Sequence, residues 1–287
     1  MPTLRNDQTI DQLKSEFQET YDSSFAWESA ISAHLALPNL VGFWPMSGMG
    51  SQSATTDARE ISGSELHLTN AGVQFGALST WPLLPLANFG VGGTDRLYRT
   101  DEALFYIAGN EAQLLTSHRG LTMGCWARNT ELGTAGHSII GQWDDSGNDR
   151  SYLIYQDSTS GGRTLALVSD NGTNVGSKIV SNSTLGIADD EWHHYVLQWS
   201  PSSQDDYIRL WVDGQYWETA SVGYASLHNS SANFGIGHSY SSGSPGYHFE
   251  GQISMAFLCR ARVFDSVIKV LYFRTRSLFQ SREKWIT

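Results

Sequence analysis

"EWHHYVLQWSPSSQDDYIRLWVDGQ" (Glu191–Gln215) decides how the rest of the chain is read. Two adjacent histidines behind a tryptophan, with carboxylates nearby, suggest a metal or acid/base site. Strand geometry argues otherwise, because successive side chains of a β-strand point to opposite faces. Over 192–199, Trp192, His194, Val196 and Gln198 share one side, and His193, Tyr195, Leu197 and Trp199 share the other. Histidines split between two faces do not readily hold one ion. In the next run Ile208, Leu210 and Val212 oppose Tyr207, Arg209 and Trp211. "SPSSQDD" joins the two runs as a polar turn, and Asp213-Gly214 supplies another. The segment reads as a hairpin in which both histidines are structural.

Outward from this hairpin the same pattern recurs. Short alternating runs at 40–46, 121–128, 138–143, 151–156, 164–169, 233–237 and 252–259 are separated by Gly, Asn, Asp and Ser clusters. Many short strands with turn signals between them indicate a sandwich or barrel. The ends differ. Ile10, Leu13, Phe17 and Tyr21 fall at helical spacing, Phe25 to Leu37 continues the pattern, and Pro38 ends it; the stripe spans only two heptads, so it packs back onto the domain or self-assembles. Near the C-terminus, "FDSVIKVLYFRTRSLF" places Val267, Ile268, Leu271, Thr275 and Leu278 on one helix face, with Asp265 or Ser266 as the cap. The sequence thus divides into a helical segment over 1–37, a β-sandwich over 38–279 and a tail over 280–287.

Composition supports this class. Charged residues are 16%, while aromatics reach 12% and there are 28 glycines, a β-rich, turn-rich balance. A net charge of −11 argues against a nucleic-acid-binding surface. The charge is uneven: residues 1–37 carry a local −4 and residues 260–287 a local +5, through solvated helix faces or an electrostatic match. No run of eighteen apolar residues exists, so no membrane insertion is expected. The N-terminus has no apolar signal core, so no secretion signal is expected either. Cys125 and Cys259 read as buried thiols, with one disulfide as the alternative.

Catalytic signatures are missing. No HExxH, CxxC or phosphate-binding loop occurs. "GHSYS" (237–241) and "GHSII" (136–140) begin like a nucleophile elbow but lack its final glycine. The adjacent pairs Asp144/Asp145, Asp189/Asp190 and Asp205/Asp206 lie in turns, and no E-x-D-x-x-E strand of the sandwich glucanases is present. The expectation is a protein that is not an enzyme, with glycoside hydrolysis as the weakest alternative.

The opening hairpin resembles the W-H-H … V-D-G hairpin of laminin-G-like and pentraxin-like domains, the concanavalin A-like jelly rolls. The resemblance continues in "LVGFWPMSG" and "ISGSELHLTNAGV", with Glu60-Ile61 where Asp-hydrophobic is usual, and in "NFGVGGTDRLYRTDEALF" and "GLTMGCWAR". It closes with "FGIGHSY" and "FEGQISMAFLCRARVFDSVIKVLY". Five motifs in the family's order cover roughly 40–275. They imply a mainly β, two-sheet antiparallel jelly-roll sandwich with an N-terminal helical segment and a short C-terminal helix.

The resemblance also implies a rim that binds glycans, proteins or phospho-ligands, in some members through calcium. By likeness to the pentraxin segment, Asn148 and Asp149, with Asp144 and Asp145, are candidate calcium ligands; the family's second cluster would fall at Gly237–Tyr240, which has no carboxylate. No required cofactor is expected. Trp143, His238, Tyr240, Tyr247 and His248 are the candidate glycan contacts, since exposed rings stack on sugar faces. Ile10, Leu13, Phe17 and Tyr21 are the candidate assembly contacts, with itself as a homo-oligomer or with capsid or tail proteins. Laminin-G-like sandwiches without a signal resemble those carried on phage virions. The expected role is a virion structural or decoration protein assembled in the host cytoplasm. The alternative is a stand-alone lectin-like module secreted by a non-classical route.

Overall fold

The opening hairpin lies within the first sheet, one strand in from its edge, in a computed structural model. The structure describes residues 27–46, 58, 60–75, 86–90, 95–100, 119–130, 136–145, 147–157, 163–173, 178–182 and 190–280. Strands are numbered along the chain. The first sheet contains β1 (Leu40–Trp44), β3 (Gln74–Phe75), β4 (Ala87–Phe89) and β6 (Leu121–Asn129), with β11 (Trp192–Ser200), β12 (Tyr207–Val212), β13 (Gln215–Ala220) and β17 (Gly251–Cys259). Its order is β13-β12-β11-β6-β17-β4-β3, with β1 also paired to β17.

The second sheet contains β2 (Thr69–Ala71), β5 (Arg96–Arg99), β7 (His137–Asp144), β8 (Asp149–Asp157) and β9 (Arg163–Gly172). It is completed by β10 (Lys178–Asn182), β14 (Phe234–Ile236), β15 (Ser239–Ser241) and β16 (Ser244–Gly246). Its path runs β10-β9-β8-β7-β14-β5-β2, and the β15–β16 hairpin joins it at β7. Pairing is antiparallel except where β15 meets β7. This is the two-sheet sandwich expected.

Register explains the hairpin's composition. Tyr195, Leu197 and Trp199 face Val212, Leu210 and Ile208 across the ladder, and Cys125, Met123 and Leu121 on the other side. These side chains enter the core between the sheets, where Trp44 stacks on Phe234 at 5.4 Å. The alternate set, Trp126, Val196, Trp211, Met255 and Phe257, points away into a second apolar layer. β11 and β17 are therefore buried on both faces, which is why they lack a clean polar alternation. Gly124 is required here: a Cβ would lie 2.5 Å from the Tyr195 carbonyl.

Two helices close that second layer. α1 (27–35) inserts Ala30 and His34, and the turn after it buries Leu37. His34 stacks flat on Phe43 at 4.5 Å, and its Nδ1 bonds the Ala30 carbonyl at 2.8 Å. α2 (Asp265–Phe279) buries Ile268, Leu271, Thr275 and Leu278, the face that the spacing predicts, together with Phe279. Trp126 anchors α2: its indole N–H donates to Thr275 Oγ1 at 2.8 Å, and its ring stacks on Phe279 at 4.6 Å. The cap expectation is corrected. The N-cap of α2 is Phe264, without a side-chain cap bond, and Asp265 pairs instead with Arg209 at 3.1 Å.

Residues 27–37, which the sequence assigns to an anchoring segment, thus belong to the packed layer. Ile10, Leu13, Phe17 and Tyr21 lie outside the described residues. Gln280, assigned to the tail, accepts from Tyr272 Oη and donates to the Trp192 carbonyl. Cys125 and Cys259 are free and buried in different layers, and burial pushes both thiols up. No helix among the described residues is long and apolar enough to cross a membrane.

Candidate functional site

The histidine pair has a structural purpose. Asp213 and Gly214 both have positive φ, 51° and 73°, as a two-residue hairpin turn of type I′ needs. The Asp213 carboxylate reaches back to β11. Oδ1 accepts the His194 N–H at 2.9 Å, and Oδ2 lies 2.7 Å from His193 Nδ1. His193 fixes the turn, while His194 faces the helix layer between Trp126 and Tyr272. Neither His194 ring nitrogen has a hydrogen-bond partner. Burial lowers its pKa to about 3, so it is a neutral core residue. The carboxylate of Glu60 does comparable work at the start of the fold, accepting the Phe43 and Ser64 N–H groups at 3.0 and 3.1 Å.

The rim that the sequence singles out is built from the β7–β8 turn and the β15–β16 hairpin. The two are laced together. Asp145 N–H donates to the Tyr240 carbonyl and Ser138 N–H to the Tyr247 carbonyl, each at 2.8 Å. Asp144 Oδ2 accepts the Gly243 N–H at 2.7 Å, and Asp145 Oδ2 accepts the Tyr247 hydroxyl at 2.9 Å. Asp145 Oδ1 also pairs with Arg150 at 3.1 Å, and that guanidinium lies over the Trp143 ring. Asp149 holds a third segment: Oδ1 accepts the Ser231 N–H at 2.7 Å, Oδ2 takes the Ser231 hydroxyl, and His228 lies 3.3 Å away. Asn148 occupies the turn with φ 53°.

Two expectations change on this geometry. Trp143, His238 and Tyr240 do not stand open on the rim: they are 5%, 0% and 7% exposed. Trp143 packs with Leu153 and Leu167 on the outer face of the second sheet. His238 is enclosed by Tyr98, Tyr240 and His248, and burial lowers its pKa to about 3. The Tyr240 hydroxyl oxygen accepts the Asn233 Nδ2–H at 2.9 Å. The half-buried pair Tyr247 and His248 remains reachable, beside an exposed tip at Ser242–Pro245.

The calcium expectation also meets a poor fit. Asp144, Asp145 and Asp149 turn their oxygens toward three different sets of protein donors rather than toward one point. Among the described residues no group of three or more His, Cys, Asp or Glu side chains is placed to hold a metal ion. Sequence reasoning missed Ser230 and Ser231, visible only as part of a glycosylation-like "NSS". It also missed Asp213 as a clamp, although the spacing of W-H-H and V-D-G across a hairpin signals it.

Comparison with known proteins supports the same architecture. A family model for laminin-G-type domains, described as the concanavalin A-like lectin/glucanases superfamily, matches residues 105–265. The chain belongs to that superfamily. Strands β1 to β5 lie before the matched span and most of α2 after it, yet they complete both sheets and the second layer.

Among solved structures, this superfamily member is similar to the botulinum neurotoxin serotype G binding domain, with TM-score 0.55, 12% identity and coverage of 83% of this chain and 52% of that one. It is also similar to the binding domain of botulinum neurotoxin DC in complex with rat synaptotagmin II, with TM-score 0.52, 10% identity, and 82% and 51% coverage. The same toxin domain in complex with SialylT matches with TM-score 0.52 at 12% identity, and 82% and 51% coverage. The chain spans about half the length of these structures, and the likeness is one of fold. No curated protein matches the chain by sequence.

Proposed function

We propose that the protein is a non-enzymatic recognition and assembly module whose laced rim meets a glycan. One observation carries this reading: the acidic side chains of the rim are spent on holding loops, not on facing a cleft. A fixed loop pair loses little freedom on binding, which favours recognition. The exposed Ser/Gly/Pro tip beside Tyr247 and His248 offers small polar groups next to rings, a combination suited to sugars. The solved binding domains with the same fold, one titled as a complex with SialylT and one with synaptotagmin II, support a glycan or protein partner.

The finer reading is a virion structural or decoration protein, with residues 1–26 as the attachment to capsid or tail proteins or to other copies. The helical spacing of Ile10, Leu13, Phe17 and Tyr21 supports it. Because α1 is packed, the informative truncation removes residues 1–26 and keeps 27–37. Size-exclusion chromatography with light scattering should then show loss of self-association or particle binding at an unchanged melting temperature. A full-length monomer that binds no particle refutes the attachment role.

A further inference from the structure

We propose that the cleft at the start of α2 is a second carbohydrate subsite, shaped for one neutral hexopyranose residue. It lies on the helix side of the first sheet, on elements other than those that build the rim. Its volume is about 300 Å³, and Tyr207, Arg209, Arg262, Phe264, Asp265 and Ser266 line it. That size is at the lower end of small-molecule pockets.

The polar groups are held before any ligand arrives. The Arg209 guanidinium sits 3.9 Å from the Tyr207 ring centre and 5.6 Å from that of Tyr216, and it pairs with Asp265. Arg262 pairs with Asp205 and lies 5.8 Å from the Phe264 ring centre. Two guanidinium groups and two carboxylates cancel, so an anion entering the cleft has to displace Asp265 or Asp205. A neutral diol does not. Each of its hydroxyls both donates and accepts, and a guanidinium beside a carboxylate offers both partners in one plane.

Aromatic faces complete the match. Phe264 lines the cleft and is 48% exposed; Tyr216, outside the lining but beside the Arg209 guanidinium at its edge, is 56% exposed, and both rings suit the C–H face of a pyranose. Tyr207, 5% exposed, has a phenol oxygen without a hydrogen-bond partner, and burial pushes its pKa up. A buried hydroxyl in that condition costs stability until it is satisfied. The N-terminus of α2, which has no side-chain cap, opens at the same place.

The test titrates the full-length protein, by saturation-transfer NMR and calorimetry, with methyl glycosides of glucose, mannose and galactose and with a methyl sialoside. At least one neutral glycoside should bind, and Phe264→Ala and Tyr216→Ala should each weaken it by at least about tenfold. Val270→Ala, exposed on the same helix, should leave binding unchanged. The subsite is refuted if no neutral glycoside binds at concentrations on the order of 10 mM. It is equally refuted if binding survives both ring substitutions, as a sugar held only at the rim would, or if only the sialoside binds. Thermal melts of each variant separate lost binding from lost folding.

Discussion

The outer faces of the two sheets are finished in different ways. On the first sheet, α1 and α2 seal an apolar layer around Trp126, Trp211, Phe257 and Phe43, held by ring stacking and burial. On the second, the apolar cluster is only Trp143, Leu153 and Leu167 with Tyr155 and Leu165 at its edge, and the neighbouring rim is held by carboxylates and serines. A packed layer tolerates little change, because interiors are close-packed and each lost methylene is felt. A laced rim holds its shape through few bonds of modest worth, so its tip residues are free to suit a partner. The first face is therefore read as structure, apart from the cleft at the start of α2, and the second as display.

Acid should produce the largest effect and fall mostly on the packed side. Burial lowers His34 to about 4 and His194 and His238 to about 3, all below the value of about 6.5 expected in the unfolded chain. Their contribution is complete above pH 6.5 and is lost as pH falls through that value toward 4, because only the unfolded state takes up the protons. Glu60 acts in the same direction: burial raises it, but bonds from Ser62, Phe43 and Ser64 outweigh burial and hold it below the usual carboxylate range. Burial lowers His248 in the same direction, so the unfolding free energy should fall between pH 6.5 and 4 with a slope of at least about three protons at its steepest. His194→Leu, which replaces a ring without hydrogen-bond partners, should remove about one proton from that slope and be near neutral at pH 7. An unchanged slope contradicts the buried state of His194.

Trp126→Ala comes next. It empties the centre of the helix layer and should cost about 3–5 kcal/mol in equilibrium unfolding. A loss below about 1 kcal/mol would mean that α1 and α2 are accessories. Asp213→Ala removes the clamp on the opening hairpin and leaves the His194 N–H without its acceptor, for about 1–3 kcal/mol. Tyr247→Phe deletes one rim bond to Asp145 and should cost about 0.5–1.5 kcal/mol. If the rim variant proved as damaging as Trp126→Ala, the contrast between packed and laced faces would not hold.

How far the sequence reaches follows the same divide. The alternation in β11 and β12 assigns every side chain to its face, and the spacing of Ile268, Leu271, Thr275 and Leu278 sets the buried stripe of α2. These are local periodicities, and they survive folding. The rim is decided by contacts far apart in the chain. Nothing near His238 announces that Tyr98 and His248 will enclose it, or that Ser231 will occupy Asp149. Loop aromatics therefore read as exposed when three of the five contacts are buried. The sequence leaves 27–37 open between packing on the sandwich and self-assembly for a related reason: helical spacing names an apolar face but not the surface that receives it.

Recognition at the laced rim, without chemistry, is tested most directly on a glycan array read for both retention and cleavage. The account predicts that the parent protein holds a defined set of glycans, that Tyr247→Ala loses those held at the rim while its melting curve keeps a single cooperative transition, and that every glycan remains intact. A parent protein that holds none, or that releases sugar from the array, would contradict it.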